Sequence, residues 1–156
     1  YSHIGYNLKL TDLQSSVGVA QLDKVENFIK RRKENWKQLY DGMKNLEEFF
    51  ILPEKEPNSD PSWFGFPLTI NEKAKFERTE LLRFYDEHLI GTRLLFAGNV
   101  LLQPAYYDLK FDDPNNYPVA NNIAKNSFWL GVFPGLTFEM LDYVVDTTKK
   151  FLDEKS

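Results

Sequence analysis

Cysteine is absent from the 156 residues. That removes disulfides, thiol nucleophiles and thiolate metal sites together, and suits a reducing compartment. Histidine is scarce: His3 and His88 are the two imidazoles, and they stand too far apart in sequence for a metal-ligand pair. No apolar run approaches the roughly 18 residues that cross a bilayer. Basic charge is not in excess, with 19 Lys and Arg against 23 Asp and Glu and a formal net charge of −4. This composition offers no footprint for nucleic acid. A glycine-rich phosphate loop, a nucleophile elbow and a zinc motif are missing as well. These absences lead to the expectation of a cytoplasmic protein whose partners are neither nucleic acid nor membrane.

Apolar residues make up 42% of the chain and aromatics 15%, the composition of a globular protein rather than a disordered one. A chain of this length buries about two-thirds of its unfolded surface, enough for one core. The opening run, YSHIGYNLKLTDLQSSVGVAQLDKV, has no initiator Met and starts on its densest polar and aromatic cluster. The expectation is an internal piece of a larger enzyme whose upstream part is absent.

Thr11 followed by Gln14 is a capping-box pattern, so a helix should start there. Leu13, Val17, Ala20 and Leu22 carry its apolar side. Ser15, Ser16 and Gly18 lower its intrinsic propensity, so tertiary or subunit contact should hold it. A second helical period runs through Val25, Phe28, Ile29, Arg32, Trp36, Leu39, Tyr40 and Met43. The two runs read as one long helix or as two with a bend between Leu22 and Val25. Phe49 to Leu52 predicts a strand stopped by Pro53, and the polar stretch to Ser62 predicts a turn region. Trp63 to Ile70 predicts a second strand, with Pro67 suited to an edge or bulge. A helix through Phe76, Leu81, Leu82, Tyr85 and Leu89 is expected, capped by Asn71 or Thr79 and ended by Gly91. Strands are expected at 92–96 and 127–133, a helical turn at 103–107, a turn-rich loop at 112–116 and a short helix at 119–125. Thr137 should cap a last helix with Phe138, Leu141, Val144, Val145, Thr148 and Leu152 on its packed side. Strands interrupted by helices behind a leading helical arm predict a small α/β or α+β domain.

Few residues suggest chemistry on their own. His88 suits a helix C-terminal end, and His3 lies between Tyr1 and Tyr6. Asn7 and Lys9 flank Leu8 ahead of a helix N-terminus, where free amides favour an anion; they also fit a turn residue and a solvated lysine. Arg93 stands on a strand leading to Asn99, where its fork suits a phosphate or sugar hydroxyl, or a carboxylate at the domain edge. Trp63, Phe64 and Trp129 read as core aromatics in preference to sugar-stacking platforms.

A resemblance adds what spacing does not. The run SHIGYNLKLTDLQSSVGVAQLDKVENFIKRRKENW is similar to the segment after the cofactor-lysine region of the vitamin B6-dependent nucleotide-sugar aminotransferases and dehydratases, the DegT/DnrJ/StrS type. SDPSWFGFPLTI, GTRLLFAGNVLLQPAYY and NSFWLGVFPGLTFEMLDYVV resemble its CDP-4-keto-6-deoxyglucose 3-dehydratase branch, of bacterial lipopolysaccharide-sugar synthesis. The similarity covers essentially the whole chain. It implies the C-terminal portion of an aspartate-aminotransferase-like (type I) fold. Residues 1–45 would be the end of the large domain and linking helices, and 46–156 the small C-terminal domain, with an antiparallel or mixed sheet flanked by helices.

For the whole enzyme the resemblance implies PMP or PLP as cofactor, a nucleotide-sugar substrate and a homodimer. An iron–sulfur cluster bound upstream and a flavin/iron–sulfur reductase partner belong to the same expectation. Asn7 matches the residue that reaches the cofactor phosphate of the neighbouring subunit. His3, Lys9, Arg93 and Asn99 are the implied substrate-side residues. The base and the groups that hold the cofactor ring would lie upstream, leaving this piece inactive alone. Ser15-Ser16 and Val100-Leu101-Leu102 depart mildly from the family pattern. A sugar aminotransferase of the same family, or a stand-alone oligomerisation module without catalysis, are the competing readings.

Overall fold

A computed structural model describes residues 10–106 and 112–155. The element order is α1 (Asp12–Met43), β1 (Phe50–Ile51), β2 (Phe66–Ile70), α2 (Arg78–Glu87), β3 (Thr92–Leu94), α3 (Pro118–Asn126), β4 (Ser127–Leu130) and α4 (Phe138–Lys155). Single 3₁₀ turns at Val100–Leu102, Pro104–Tyr106 and Pro114–Asn116 fill the β3–α3 connection.

The leading helix is one element without a break at Leu22 to Val25. Its N-terminus carries the expected box: the Gln14 amide donates to Thr11 Oγ1 (3.3 Å), and the Thr11 amide donates to Gln14 Oε1 (3.0 Å). Residues 10–28 are exposed, including Leu13, Val17, Val19 and Leu22. The C-terminal half turns inward, burying Asn35, Leu39 and Met43. The described residues thus bury none of the first turns, where tertiary or subunit contact was expected, while packing holds the last.

All strand pairs are antiparallel, in the order β1-β2-β4-β3. Pro67 sits in a strand with neighbours on both sides, yet β1 pairs only with Thr69 and Ile70. At Pro67 the strand is locally an edge, where a missing donor costs no ladder bond on that side. Period-two alternation sorts the sheet: Phe66, Leu68, Ile70, Phe128 and Leu130 are buried, facing a core shared with Leu39, Met43, Leu81, Tyr85, Leu141 and Phe151.

Two expectations about α2 are corrected. Its cap is Glu77, not Asn71 or Thr79: Glu77 and Glu80 form a reciprocal box. Asn71 instead accepts from the Lys73 amide and donates to the Glu47 carbonyl. The helix ends before Gly91, through Leu89 in the left-handed region (φ 58°). Arg78 joins α2 to the end of α3, its Nη1 donating to the carbonyls of Ala124 (2.7 Å) and Ser127 (3.0 Å).

The expected cap of α4 is present, with the Met140 amide donating to Thr137 Oγ1 (3.3 Å). Phe138, expected on the packed side, is largely exposed and lies under the Arg31 guanidinium, 4.9 Å from ring centroid to charge. Among the described residues no helix is long and apolar enough to cross a membrane.

One buried polar pair has a fixed direction. Thr148 Oγ1 donates to the Val144 carbonyl (2.7 Å), so its single proton is used. The Tyr85 hydroxyl, 2.7 Å away, must donate to it, and burial pushes the Tyr85 phenol pKa up so that it keeps its proton. Tyr85→Phe removes the donor and should cost about 1 kcal/mol. Thr148→Val strands the buried phenol and should cost about 1–3 kcal/mol. The double variant should recover most of the difference, as read by urea unfolding of all three. Equal costs for both single variants would show that the assigned direction is wrong.

Candidate functional site

Antiparallel register puts Arg93, Trp129 and Pro67 in one row across β3, β4 and β2. Since Phe128 and Leu130 point into the core, this row lies on the opposite face of the sheet. Further along that face the Thr69 and Ser127 hydroxyls bond each other (2.7 Å). The face between Arg93 and Trp129 opens as a groove of about 610 Å³. Its walls include Arg32 from α1, Phe64, Phe96 and Phe133.

The aromatic wall is ordered by ring contacts. Phe64 and Phe96 both stand edge-on to Trp129, at 5.6 and 5.8 Å, and are near parallel to each other at 6.5 Å. Gly65 permits this arrangement, because a Cβ there would lie 2.7 Å from Trp129 Cε3. Phe64 and Phe96 are 68% and 78% exposed. The expectation that Phe64 belongs to the core is thus corrected: it presents its ring to the groove. Trp63, by contrast, is half-buried in a stack on Trp36 (4.4 Å), and Trp129 is half-exposed.

Phe96 has φ 48°, a conformation that costs a bulky residue energy and that clusters at sites where surrounding structure imposes it. Here the imposition comes from both sides. The Phe96 amide donates to the Leu94 carbonyl (2.8 Å), and Gly98 (φ 63°) presses so closely on α3 that a Cβ would come 2.4 Å from the Ala124 Cβ. Asn99 then pins the loop. It is 4% exposed, its Nδ2 donates to Asn121 Oδ1 (2.7 Å), and its Oδ1 accepts from the Leu101 amide (3.0 Å).

Of the residues expected from sequence, Arg93 lies in the groove and Asn99 beneath the loop at its edge. Among the described residues Arg93 makes no ion pair. Of the carboxylates in the Asp108 to Asp113 loop expected as an alternative partner, Asp112 accepts from the Tyr117 hydroxyl and from Asn116, and Asp113 caps the turn at Asn115; Asp108 lies outside the described residues. His3, Asn7 and Lys9 lie outside the described residues. His88 is a helix-end residue, its Nδ1 2.8 Å from the Phe84 carbonyl. Arg32 and Phe133 were missed as site residues, and no local pattern marks either.

No lysine and no carboxylate line the groove among the described residues, and no group of three His, Cys, Asp or Glu there could hold a metal. A B6 cofactor needs a partner for its ring nitrogen and a base beside its reactive carbon; the described residues do not supply them. They form instead a cationic and aromatic wall, suited to an anion that carries a ring.

The model of the DegT/DnrJ/EryC1/StrS aminotransferase family matches residues 1–149. Over 151 residues the chain is 48% identical to the lipopolysaccharide biosynthesis protein RfbH of Salmonella typhimurium (strain LT2), covering 97% of this chain and 35% of that protein. It is 41% identical over 156 residues to the dTDP-4-dehydro-2,6-dideoxy-D-glucose 3-dehydratase of Saccharopolyspora spinosa, covering 100% of this chain and 34% of that one. The chain thus spans about a third of the length of these relatives. Among solved structures, DesV of S. venezuelae superposes with a TM-score of 0.85 at 24% identity, over 96% of this chain and 38% of that one. That likeness shows the aminotransferase-like type I fold.

Gly98 and Phe96 should respond differently to substitution. Gly98→Ala should cost more than about 2 kcal/mol, since it combines positive φ with contact against the α3 backbone. Phe96→Ala, at an exposed ring, should stay within about 1 kcal/mol of the parent. Thermal melts compare them; a Gly98→Ala melt matching the parent would contradict the close approach to Ala124.

Proposed function

This chain belongs to the DegT/DnrJ/EryC1/StrS aminotransferase family, and on that premise we propose that it is the C-terminal part of a nucleotide-sugar 3-dehydratase. The proposed substrate is CDP-4-keto-6-deoxyglucose, and the whole enzyme would use PMP or PLP in bacterial deoxysugar synthesis. The observation that carries the reading is identity of 41% along the full chain to a 3-dehydratase of a nucleotide-linked deoxysugar. A groove lined by guanidinium and aromatic rings supports it, because an anionic, ring-bearing substrate is what such a wall accommodates.

In this reading the base and the cofactor's main anchors belong to the upstream domain, together with any iron–sulfur cluster, since this chain has no Cys. The exposed first turns of α1 would pack on that domain or on the second subunit of a homodimer. Asn7 would reach the cofactor phosphate across the subunit boundary, with His3 and Lys9 near the mouth. Arg93 would hold the anionic part of the substrate. Asn99 would act through the loop that it fixes, setting where Phe96 stands. A flavin/iron–sulfur reductase would be the redox partner of the complete enzyme.

The test is product identity. The complete enzyme, loaded with PMP and given CDP-4-keto-6-deoxyglucose, should release water from the sugar. Amino transfer from glutamate without water loss would establish the aminotransferase reading instead. Within the same enzyme, Asn7→Ala should weaken cofactor retention by about 1–3 kcal/mol, measured as the cofactor concentration needed to restore the bound spectrum. Arg93→Ala should raise KM about tenfold or more while kcat changes less, the pattern of lost uniform binding. Arg93→Lys should recover part of it, because a point charge lacks the two-pronged contact. An unchanged KM would make Arg93 a surface cation only.

A further inference from the structure

Helix α1 carries two adjacent arginines with different fates. Arg31 is fully used: it donates to Glu34 Oε2 (2.8 Å) and to the Leu136 carbonyl (2.9 Å), and covers the Phe138 ring. Arg32 is turned about 100° further round the helix. It is half-buried, and among the described residues it forms no ion pair or hydrogen bond. It lines the Arg93 groove and also the adjoining hollow formed with Phe28 and Phe133. No carboxylate lines either space among the described residues, although acidic residues outnumber basic ones in the chain by 23 to 19.

That distribution has a physical consequence. A guanidinium half removed from water loses hydration, and without an anion nothing repays it. Arg93 is exposed and keeps its hydration, but as a second cation bordering the same groove it adds repulsion. Both penalties vanish when a group with two negative charges enters, and a guanidinium fork meets phosphate oxygens in a bidentate geometry. The aromatic wall beside them excludes water and so strengthens the contact.

We propose that Arg32 is a second anchor, together with Arg93, for the diphosphate of the nucleotide-linked substrate. The inference rests on the reading above, and assigns to Arg32 a specificity role: it separates nucleoside diphosphates from nucleosides and monophosphates. It is a binding residue and takes no part in proton movement.

Titration calorimetry on the complete enzyme tests this, with CDP, CMP, cytidine and inorganic pyrophosphate as probes. Arg32→Gln should weaken CDP and pyrophosphate at least tenfold and leave cytidine within twofold. The dependence of CDP affinity on salt should become shallower, as one phosphate contact is lost. Arg32→Lys should restore part of the affinity, which guards against a folding defect in the glutamine variant, and melts of both variants should match the parent. CDP affinity unchanged in Arg32→Gln would overturn the inference and leave the dehydratase reading intact. Equal weakening of CDP and cytidine would overturn it too, by showing that Arg32 shapes the groove without meeting charge. If the parent enzyme binds GDP or dTDP but not CDP, and Arg32→Gln weakens that ligand tenfold, the anchor stands and the proposed cytidine substrate falls.

Discussion

The seat of α1 on the β4–α4 connection is the constraint on which the rest depends. Asn35 is fully buried on this helix and donates to the Phe133 carbonyl at 2.7 Å, while Arg31 one turn earlier holds the Leu136 carbonyl. A loop whose own turn bond runs from the Leu136 amide to the Phe133 carbonyl (3.0 Å) is thereby fixed to a rigid rod. The same seat buries Leu39 and Met43 against the sheet and turns Arg32 toward the groove. Asn35 Oδ1 finds no partner among the described residues, so the helix gives up some polar satisfaction to place two loop carbonyls. An apolar residue at 35 would leave Arg31 to hold the loop from this helix through the Leu136 carbonyl.

Strand parity then divides the domain. With Phe128 and Leu130 committed to the core, Ser127 and Trp129 must face the other way. Antiparallel pairing carries that choice across to Arg93 and Pro67. The groove is therefore a by-product of core packing: the hydrophobic effect fixes the inner face, and the outer face receives whatever alternates with it. This makes the position of Arg93 robust, since a one-residue slip of β3 would turn a guanidinium toward the core face. Phe96 and Phe64, which lie beyond the strand ends, have no such protection and need local devices, the tight Gly98 contact and the missing Cβ of Gly65.

Much of this was legible from the residues. The Thr11–Gln14 box, the Thr137 cap, the alternation in β2 and β4 and the packed periods of α1 from Trp36 on, of Leu81, Leu82 and Tyr85 in α2 and of Leu141 to Leu152 in α4 all depend on neighbours close in sequence, and reappear in the structure. The apolar side expected from Leu13 to Leu22 is exposed. The Glu77 cap was missed because Glu is a poor single-residue cap, and works here only through the reciprocal bond with Glu80. The left-handed Leu89 and Phe96 were missed because such positions ordinarily announce themselves as Gly or Asn. Phe64 was misjudged because composition says that an aromatic is apolar and says nothing about which side of a strand end it leaves. Arg32 was invisible for a similar reason. It stands beside Arg31 in sequence, and only the path of the β4–α4 loop gives one a carbonyl and the other a groove.

The placement of charge follows from these local facts and argues for a ligand. Among the described residues, every lysine or arginine that reaches a carboxylate does so on the surface or along a helix, as Lys33 does with Asp60 and Lys155 with Glu80, contacts that add little stability. Evolution of a mere scaffold has no reason to keep acids away from one groove while spending them elsewhere. A groove with cations, exposed aromatic rings and a residue held at positive φ combines three features, each unfavourable for the folded chain alone. The domain tolerates them because its stability comes from the other face of the sheet, where Leu68, Tyr85, Phe128 and Leu141 are packed without access to water. Separation of the two faces by a single layer of strands is what allows one to be optimised for folding and the other to remain available for binding.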